Sequence, residues 1–169
     1  MNTWLERLMA SLYGRMREAY YNRMYKAYRK KYKITSNFGF NGQDIRIYGD
    51  GELKLGNDSY IGNYSTIQLS KGCLVEIGNK CLLSHNVRMY TSTNITDQDF
   101  IGEALEGKSG NIIIGDGVWI GANVFINPGV HIGNNAVVGA NSVVIMDIPE
   151  FSIASGVPAK VIRMKKIGS

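Results

Sequence analysis

The chain has only two cysteines, Cys73 and Cys81. Both fall within apolar stretches, a poor basis for a disulfide framework, so a reducing cytoplasm is the expected compartment. No run of about 18 apolar residues occurs, so no membrane span is expected. The N-terminus lacks a short apolar core followed by a small-residue cleavage site, so no secretory signal is expected either. Histidine is as scarce: His85 and His131 are the only two, and a three-histidine zinc site cannot be built from them. Residues 2–32 contain no proline and a single glycine, Gly14, which removes the usual helix breakers from that stretch.

What is present divides sharply. Residues 1–33 hold nine Lys or Arg against Glu6 and Glu18, a net +7, while the other ten basic and twelve acidic residues leave the remainder at −2. Within this basic segment Trp4, Leu5, Leu8, Leu12, Met16, Tyr20, Met24, Tyr25 and Tyr28 recur at helical spacing, which predicts one or two amphipathic helices over 1–34. Such a helix is a natural cap for a neighbouring domain. Its charge and its interleaved Trp and Tyr also suit the anionic inner face of a membrane, and a peripheral membrane contact through residues 1–33 is expected. Nothing beyond charge favours nucleic acid, and none is expected as a partner.

From Ile114 the chain repeats every six residues: Ile-Gly-Asp-Gly-Val-Trp, Ile-Gly-Ala-Asn-Val-Phe, Ile-Asn-Pro-Gly-Val-His, Ile-Gly-Asn-Asn-Ala-Val, Val-Gly-Ala-Asn-Ser-Val. A period of six is not a helical stripe; it is one short strand plus one turn. Three such units close one turn of a triangular coil, with Ile114, Ile120, Ile126, Ile132 and Val138 stacked inward. Earlier hexads are in phase at Leu55, Ile61, Ile77, Leu83 and Met89. Thr35 to Gly42 reads as a linker, and residues 35–169 as one solenoid domain. The hexad frame vanishes between Asn94 and Asn111, where a polar, acidic loop is expected to protrude and to collect function. The final hexad, 144–149, is degenerate; Pro149 is expected to end it, with an irregular turn and a basic tail to follow.

These hexads, the interrupting loop and the terminal Gly-Val-Pro-Ala-Lys-Val-Ile resemble the hexapeptide-repeat acyltransferases over residues 45–166. The nearest likeness is to bacterial sugar O-acetyltransferases. The resemblance implies an all-β solenoid wound as a left-handed parallel β-helix, an exception to the right-handed crossover rule. It also implies a homotrimer with sites in clefts between subunits, acetyl-CoA as co-substrate with no metal required, and a sugar or lipid-linked saccharide as acceptor.

Acyl transfer from a thioester needs a base beside the acceptor and donors for the oxyanion. His85, third in Leu83-Ser-His-Asn-Val-Arg, is similar to the histidine that serves as base in related acyltransferases. The sugar group closest in layout carries its base where this chain has Asn94, in Thr91-Ser-Thr-Asn-Ile-Thr-Asp. Asparagine cannot accept a proton, so His85 takes the base role in this reading, with Asn94 or Asp97 orienting it or the acceptor. His131 is expected to be a surface residue. The resemblance further assigns Trp119, Gly121, Ala122, Gly139 and Ala140 to the pantetheine groove, and Lys160 and Arg163 to the coenzyme phosphates. The expected function is acetylation of a sugar hydroxyl in cell-surface polysaccharide biosynthesis, in the cytoplasm at the inner membrane face. The rivals are N-acetylation of a nucleotide-linked amino sugar and a non-catalytic scaffold.

Overall fold

In a computed structural model, residues 3–102 and 104–166 are described. The chain divides into two compact units, Met1–Lys33 and Ile34–Ser169. The first is a single helix, α1 (Thr3–Tyr32), about 45 Å long at 1.5 Å per residue. With no proline to break it, the one glycine, Gly14, sits in open space and the helix passes through it. Arg29, Lys30 and Lys31 occupy the last turn, where positive charge complements the helix dipole. Tyr21, Tyr25, Tyr28 and Tyr32 form a ladder with successive ring centroids 6.0, 6.3 and 6.5 Å apart. Trp4, Leu5, Leu8, Met9, Leu12, Tyr13, Met16 and Tyr20 are exposed.

The second unit is a coil of short strands. Its first turn holds β1 (Phe38–Asn41), β2 (Arg46–Gly49) and β3 (Glu52–Leu55); its second, β4 (Ser59–Gly62), β5 (Thr66–Leu69) and β6 (Leu74–Ile77). The third contains β7 (Leu82–Leu83) and β8 (Arg88–Tyr90), departs into a ribbon of β9 (Ser92–Asn94) and β10 (Gly107–Ser109), and resumes at β11 (Ile112–Ile114). β12 (Trp119–Ile120), β13 (Phe125–Ile126) and β14 (His131–Ile132) make the fourth. β15 (Val137–Val138), β16 (Val143–Val144) and a bridge from Ile148 to Ile132 make the fifth. β17 (Ser152–Gly156) starts a further turn, and β18 (Ala159–Met164) folds back on it antiparallel. Successive turns stack into sheet I (β1-β4-β7-β12-β15-β17-β18), sheet II (β2-β5-β8-β13-β16) and sheet III (β3-β6-β11-β14), parallel except at β18.

The first hexad place fills the core. Ile61, Leu83, Ile120 and Val138 stack in sheet I, Ile67, Met89, Ile126 and Val144 in sheet II, and Ile77, Ile114 and Ile132 in sheet III, all buried. Each such side chain contributes about 1.5–3 kcal/mol by leaving water. The fifth place is buried too and takes small or β-branched residues at the corners, such as Ser59, Cys81, Val118 and Ala136. The fourth place turns the corner in the left-handed region, with φ of 61° at Tyr64, 55° at Asn86, 59° at Asn123 and 58° at Asn141. Asparagine tolerates that conformation better than most residues, and these three interlock: Asn86 Nδ2 donates to Asn123 Oδ1 at 2.9 Å, and Asn123 Nδ2 to Asn141 Oδ1 at 3.0 Å.

Three boundaries differ from the sequence reading. The stretch read as a linker contains β1, which pairs with β4 and begins the coil seven residues before Ile45, because Phe38 supplies a core side chain that the hexad frame does not register. Pro149 does not end the coil: the chain turns at Phe151 with φ of 53°, and Val137 and Val138 pair with Ile153 and Ala154. The expected irregular turn and basic tail are the β17–β18 hairpin, which covers the edge of sheet I. Finally, the loop read as starting at Asn94 is anchored by a short ladder, Ser92↔Ser109, Thr93↔Lys108 and Asn94↔Gly107.

Candidate active site

The two corners that flank sheet I differ in one respect. Where sheet III turns into sheet I, the third hexad place carries Asn57, Asn79, Asp116 and Asn134. The last three side chains each cap the main-chain N–H at the same place one turn earlier: Asn57 N–H donates to Asn79 Oδ1 (2.9 Å), Asn79 N–H to Asp116 Oδ1 (2.6 Å) and Asp116 N–H to Asn134 Oδ1 (2.8 Å). Where sheet I turns into sheet II, the same column reads Gln43, Asn63, His85, Ala122 and Ala140. Asn63 Oδ1 accepts from Gln43 N–H at 2.5 Å, and the ring nitrogen Nδ1 of His85 sits against Gly62, where a Cβ would approach it to 2.8 Å. Beyond His85 the column has no side-chain acceptor. The corner therefore becomes a bare strip of main chain at Gly121-Ala122 and Gly139-Ala140.

Gly121 has a local reason to be glycine, since a Cβ there would lie 2.6 Å from the main-chain nitrogen of Ala140. His85 is exposed at the N-terminal end of this strip. The column is continuous in the main chain, with Asn123 N–H donating to His85 O at 3.0 Å and Asn141 N–H to Ala122 O at 2.8 Å. Asn63 Nδ2 stands 3.5 Å from His85 Nδ1. That is the outer limit of a hydrogen bond, and because an amide N–H can only donate, the contact weakly favours an unprotonated Nδ1.

The residues assigned to the coenzyme share this side of the molecule. Trp119, half exposed, lies on the outer face of sheet I, and strand register places Trp119, Val137, Ile153 and Arg163 in one row across it. Lys160, opposite Ser155 on β18, is exposed on the same hairpin. Asn94 and Asp97 are exposed but belong elsewhere: the strands of sheet II run from the His85 corner to Thr91, and the ribbon leaves at that far edge. One copy of the chain thus gathers His85 with Gly121, Ala122, Gly139 and Ala140, and keeps Asn94 and Asp97 a sheet width away. His131 is exposed on sheet III, its N–H donating to Asp147 Oδ1 at 2.8 Å.

Asn63 was missed from sequence, although the column of third places, polar at one corner and Asn-His-Ala-Ala at the other, carried the signal. Cys81 is buried, and burial first of all pushes its thiol pKa up; Sγ–H donates to Gly115 O at 3.0 Å. It is a core residue. Among the described residues no group of three His, Cys, Asp or Glu side chains is placed to hold a metal ion.

A family model described as "Bacterial transferase hexapeptide (six repeats)" matches residues 111–145. A protein of Escherichia coli (strain K12) described as "Putative lipopolysaccharide biosynthesis O-acetyl transferase" is 54% identical over 140 residues, covering 75% of this chain and 70% of that protein. Among solved structures, a maltose O-acetyltransferase from Clostridium difficile 630 is similar with a TM-score of 0.61 and 31% identity, over 78% of this chain and 72% of that one. A hexapeptide-repeat acetyltransferase from Vibrio cholerae O1 biovar eltor, complexed with acetyl coenzyme A, gives a TM-score of 0.65 and 25% identity over 86% and 78%. The chain spans about half the length of other curated relatives it matches, from budding yeast, Mycobacterium tuberculosis and fission yeast.

Proposed function

The chain belongs to the bacterial hexapeptide-repeat transferases and its coil is their left-handed parallel β-helix; from this we propose that it is an acetyl-CoA-dependent O-acetyltransferase acting on a sugar hydroxyl in cell-surface polysaccharide assembly. The observation that carries the reading is the break in the capping column: an exposed imidazole, then a strip of main chain with no side chains beyond Cβ. Such a strip accommodates a slender amide-bearing arm, and the N–H groups that Ala122 and Ala140 cannot cap are donors suited to its carbonyls or to an oxyanion. The neighbour solved with acetyl coenzyme A supports the same assignment.

His85 takes the acceptor hydroxyl proton on Nε2 as the hydroxyl oxygen attacks the thioester carbonyl. It returns that proton to the sulfur as the carbon–sulfur bond breaks. This requires the neutral tautomer protonated on Nδ1, which the Asn63 amide donor facing that nitrogen at 3.5 Å disfavours, so the ring turns from that contact in the reacting complex. General-base assistance of this kind contributes about 10²–10⁴-fold. Trp119 walls the coenzyme groove, while Lys160 and Arg163 pair with its phosphates.

The separation of Asn94 and Asp97 from His85 supports a site completed across a subunit boundary: in a homotrimer, the ribbon of one copy reaches the His85 corner of the next. The exposed basic and aromatic face of α1 supports attachment to an anionic membrane surface, where each basic residue is worth about 1 kcal/mol. That location suits a lipid-linked saccharide acceptor. The test is coenzyme A release with hydroxyl and amino sugars. His85→Ala is expected to lower turnover by about 10²–10⁴-fold with acetyl-CoA binding retained. Turnover of the variant at the wild-type rate removes His85 from the mechanism. A wild type inert toward every sugar refutes the enzyme reading.

A further inference from the structure

The outer face of sheet II carries a concavity of about 510 Å³ beside the His85 corner, lined in part by Asp44, Arg46, Tyr64, Thr66, Arg88 and Tyr90. Register places Arg46, Thr66 and Arg88 in a single row across three adjacent strands. Strands stand 4.7–4.9 Å apart, so the two arginine Cα atoms are about 10 Å apart with a hydroxyl between them. That spacing lets two guanidinium groups converge on one anion above Thr66. Arg88 is oriented from the corner itself: its Nε donates to Asn86 Oδ1 at 3.2 Å, and Asn86 is the residue after His85. Tyr90 packs against Phe125 with centroids 5.2 Å apart and planes 27° apart, which gives the concavity an aromatic wall of the kind that the C–H face of a sugar ring covers. Asp44 at the rim supplies the one carboxylate of the lining. The coil does not require two arginines across one strand: the equivalent outward row holds Tyr60, Leu82, Trp119 and Val137 in sheet I, and in sheet III Lys54, Glu76, Ile113 and His131, where opposite charges alternate instead.

We propose that this concavity is the acceptor subsite and that the acceptor is an anionic saccharide, its phosphate or carboxylate held between Arg46 and Arg88 and its ring against Tyr90. The inference rests on the reading of His85 as the group that meets the acceptor, since it is the contiguity of the concavity with that corner that makes the bound molecule the acceptor. A guanidinium fork matches either oxyanion in bidentate fashion, so the shared chemistry is the anion, and the two sources are separated by experiment.

The full chain is titrated by calorimetry or NMR, without turnover, with glucose, glucose 1-phosphate and glucuronate, and in parallel with acetyl-CoA. Wild type is expected to bind one or both anionic sugars at least tenfold more tightly than glucose; tighter binding of glucose 1-phosphate assigns a phosphate, and of glucuronate a carboxylate. The Arg46→Gln/Arg88→Gln double variant is expected to bring the ratio of anionic to neutral affinity down to about one, while its acetyl-CoA affinity stays within twofold of wild type. Equal binding of all three sugars by wild type overturns the proposal, as does a ratio that survives in the double variant. A double variant that loses acetyl-CoA instead shows the arginines to be coenzyme ligands and overturns it too. Because the readout is binding, arginine-dependent preference in a chain that transfers no acetyl group would refute the enzyme reading and leave the anion site standing.

Discussion

Ala122→Asn tests the architecture and the proposed chemistry together. At the opposite corner Asn79, Asp116 and Asn134 each accept a main-chain N–H from the preceding turn at 2.6–2.9 Å. An asparagine at 122 stands at the same hexad place and reaches the N–H of His85 in the same way. A main-chain hydrogen bond of this kind is worth about 0.5–1.5 kcal/mol net. For a chain of this length, 1 kcal/mol moves the melting midpoint by about 2–4 °C. The variant is therefore expected to melt about 1–6 °C higher than wild type by calorimetry. The same side chain fills the strip between His85 and Ala140, so acetyl-CoA affinity measured by titration is expected to fall at least tenfold, about 1.4 kcal/mol. Higher stability with lower affinity is the signature. A variant that melts no higher and still binds acetyl-CoA like wild type refutes the claim that this corner is an uncapped groove.

Gly121→Ala is expected to destabilise by about 1–3 kcal/mol in denaturant titration, the cost of overpacking against main chain, because its Cβ would meet the nitrogen of Ala140 at 2.6 Å; Gly14→Ala in α1, where nothing lies within 4 Å, is expected to stabilise that helix by about 0.5–1 kcal/mol by circular dichroism. Ser59 Oγ donates to Gly78 O at 2.7 Å and accepts from Cys81 N–H at 2.9 Å, so Ser59→Ala strands two buried groups and is expected to cost about 1–3 kcal/mol. Burial raises the Cys81 thiol pKa, so the native protein is expected to resist iodoacetamide at pH 8 and to react at that thiol only once unfolded; rapid native labelling at Cys81 by mass spectrometry would contradict its placement. Replacing residues 95–106 with a short glycine turn is expected to leave the melting midpoint within about 2 °C, since most of these side chains are exposed, and to abolish acetyl transfer.

Much of the coil was legible because its core is periodic. Ile114, Ile120, Ile126 and Ile132 announce the inward place by recurring every six residues, and all are buried. Where the core is filled without that rhythm, reading failed: Phe38 at one end, and Ser152 and Ala154 at the other, are buried but lie in stretches where proline, glycine and polar residues mimic loops. The ribbon of β9 and β10 escaped for a related reason, since Ser-Thr-Asn pairing with Gly-Lys-Ser has no apolar alternation. At the site, His85 was visible as a chemically rare residue in a repeat that does not need it. The role of Asn63 was not, because the two corners are distinguishable only after the turns are stacked and third places aligned. Arg46 and Arg88 are 42 residues apart in the chain, and only the register of β2, β5 and β8 makes them neighbours across Thr66.

The ribbon that interrupts the third turn is closed at its base by Ser92 opposite Ser109, and Gly110 N–H returns to Thr91 O at 2.9 Å just beneath. The excursion thus enters and leaves the scaffold at a single clasp, and the aliphatic stack below does not register what happens beyond it. A segment past this clasp can be lengthened, shortened or exchanged without altering a single pairing between the rungs of the coil.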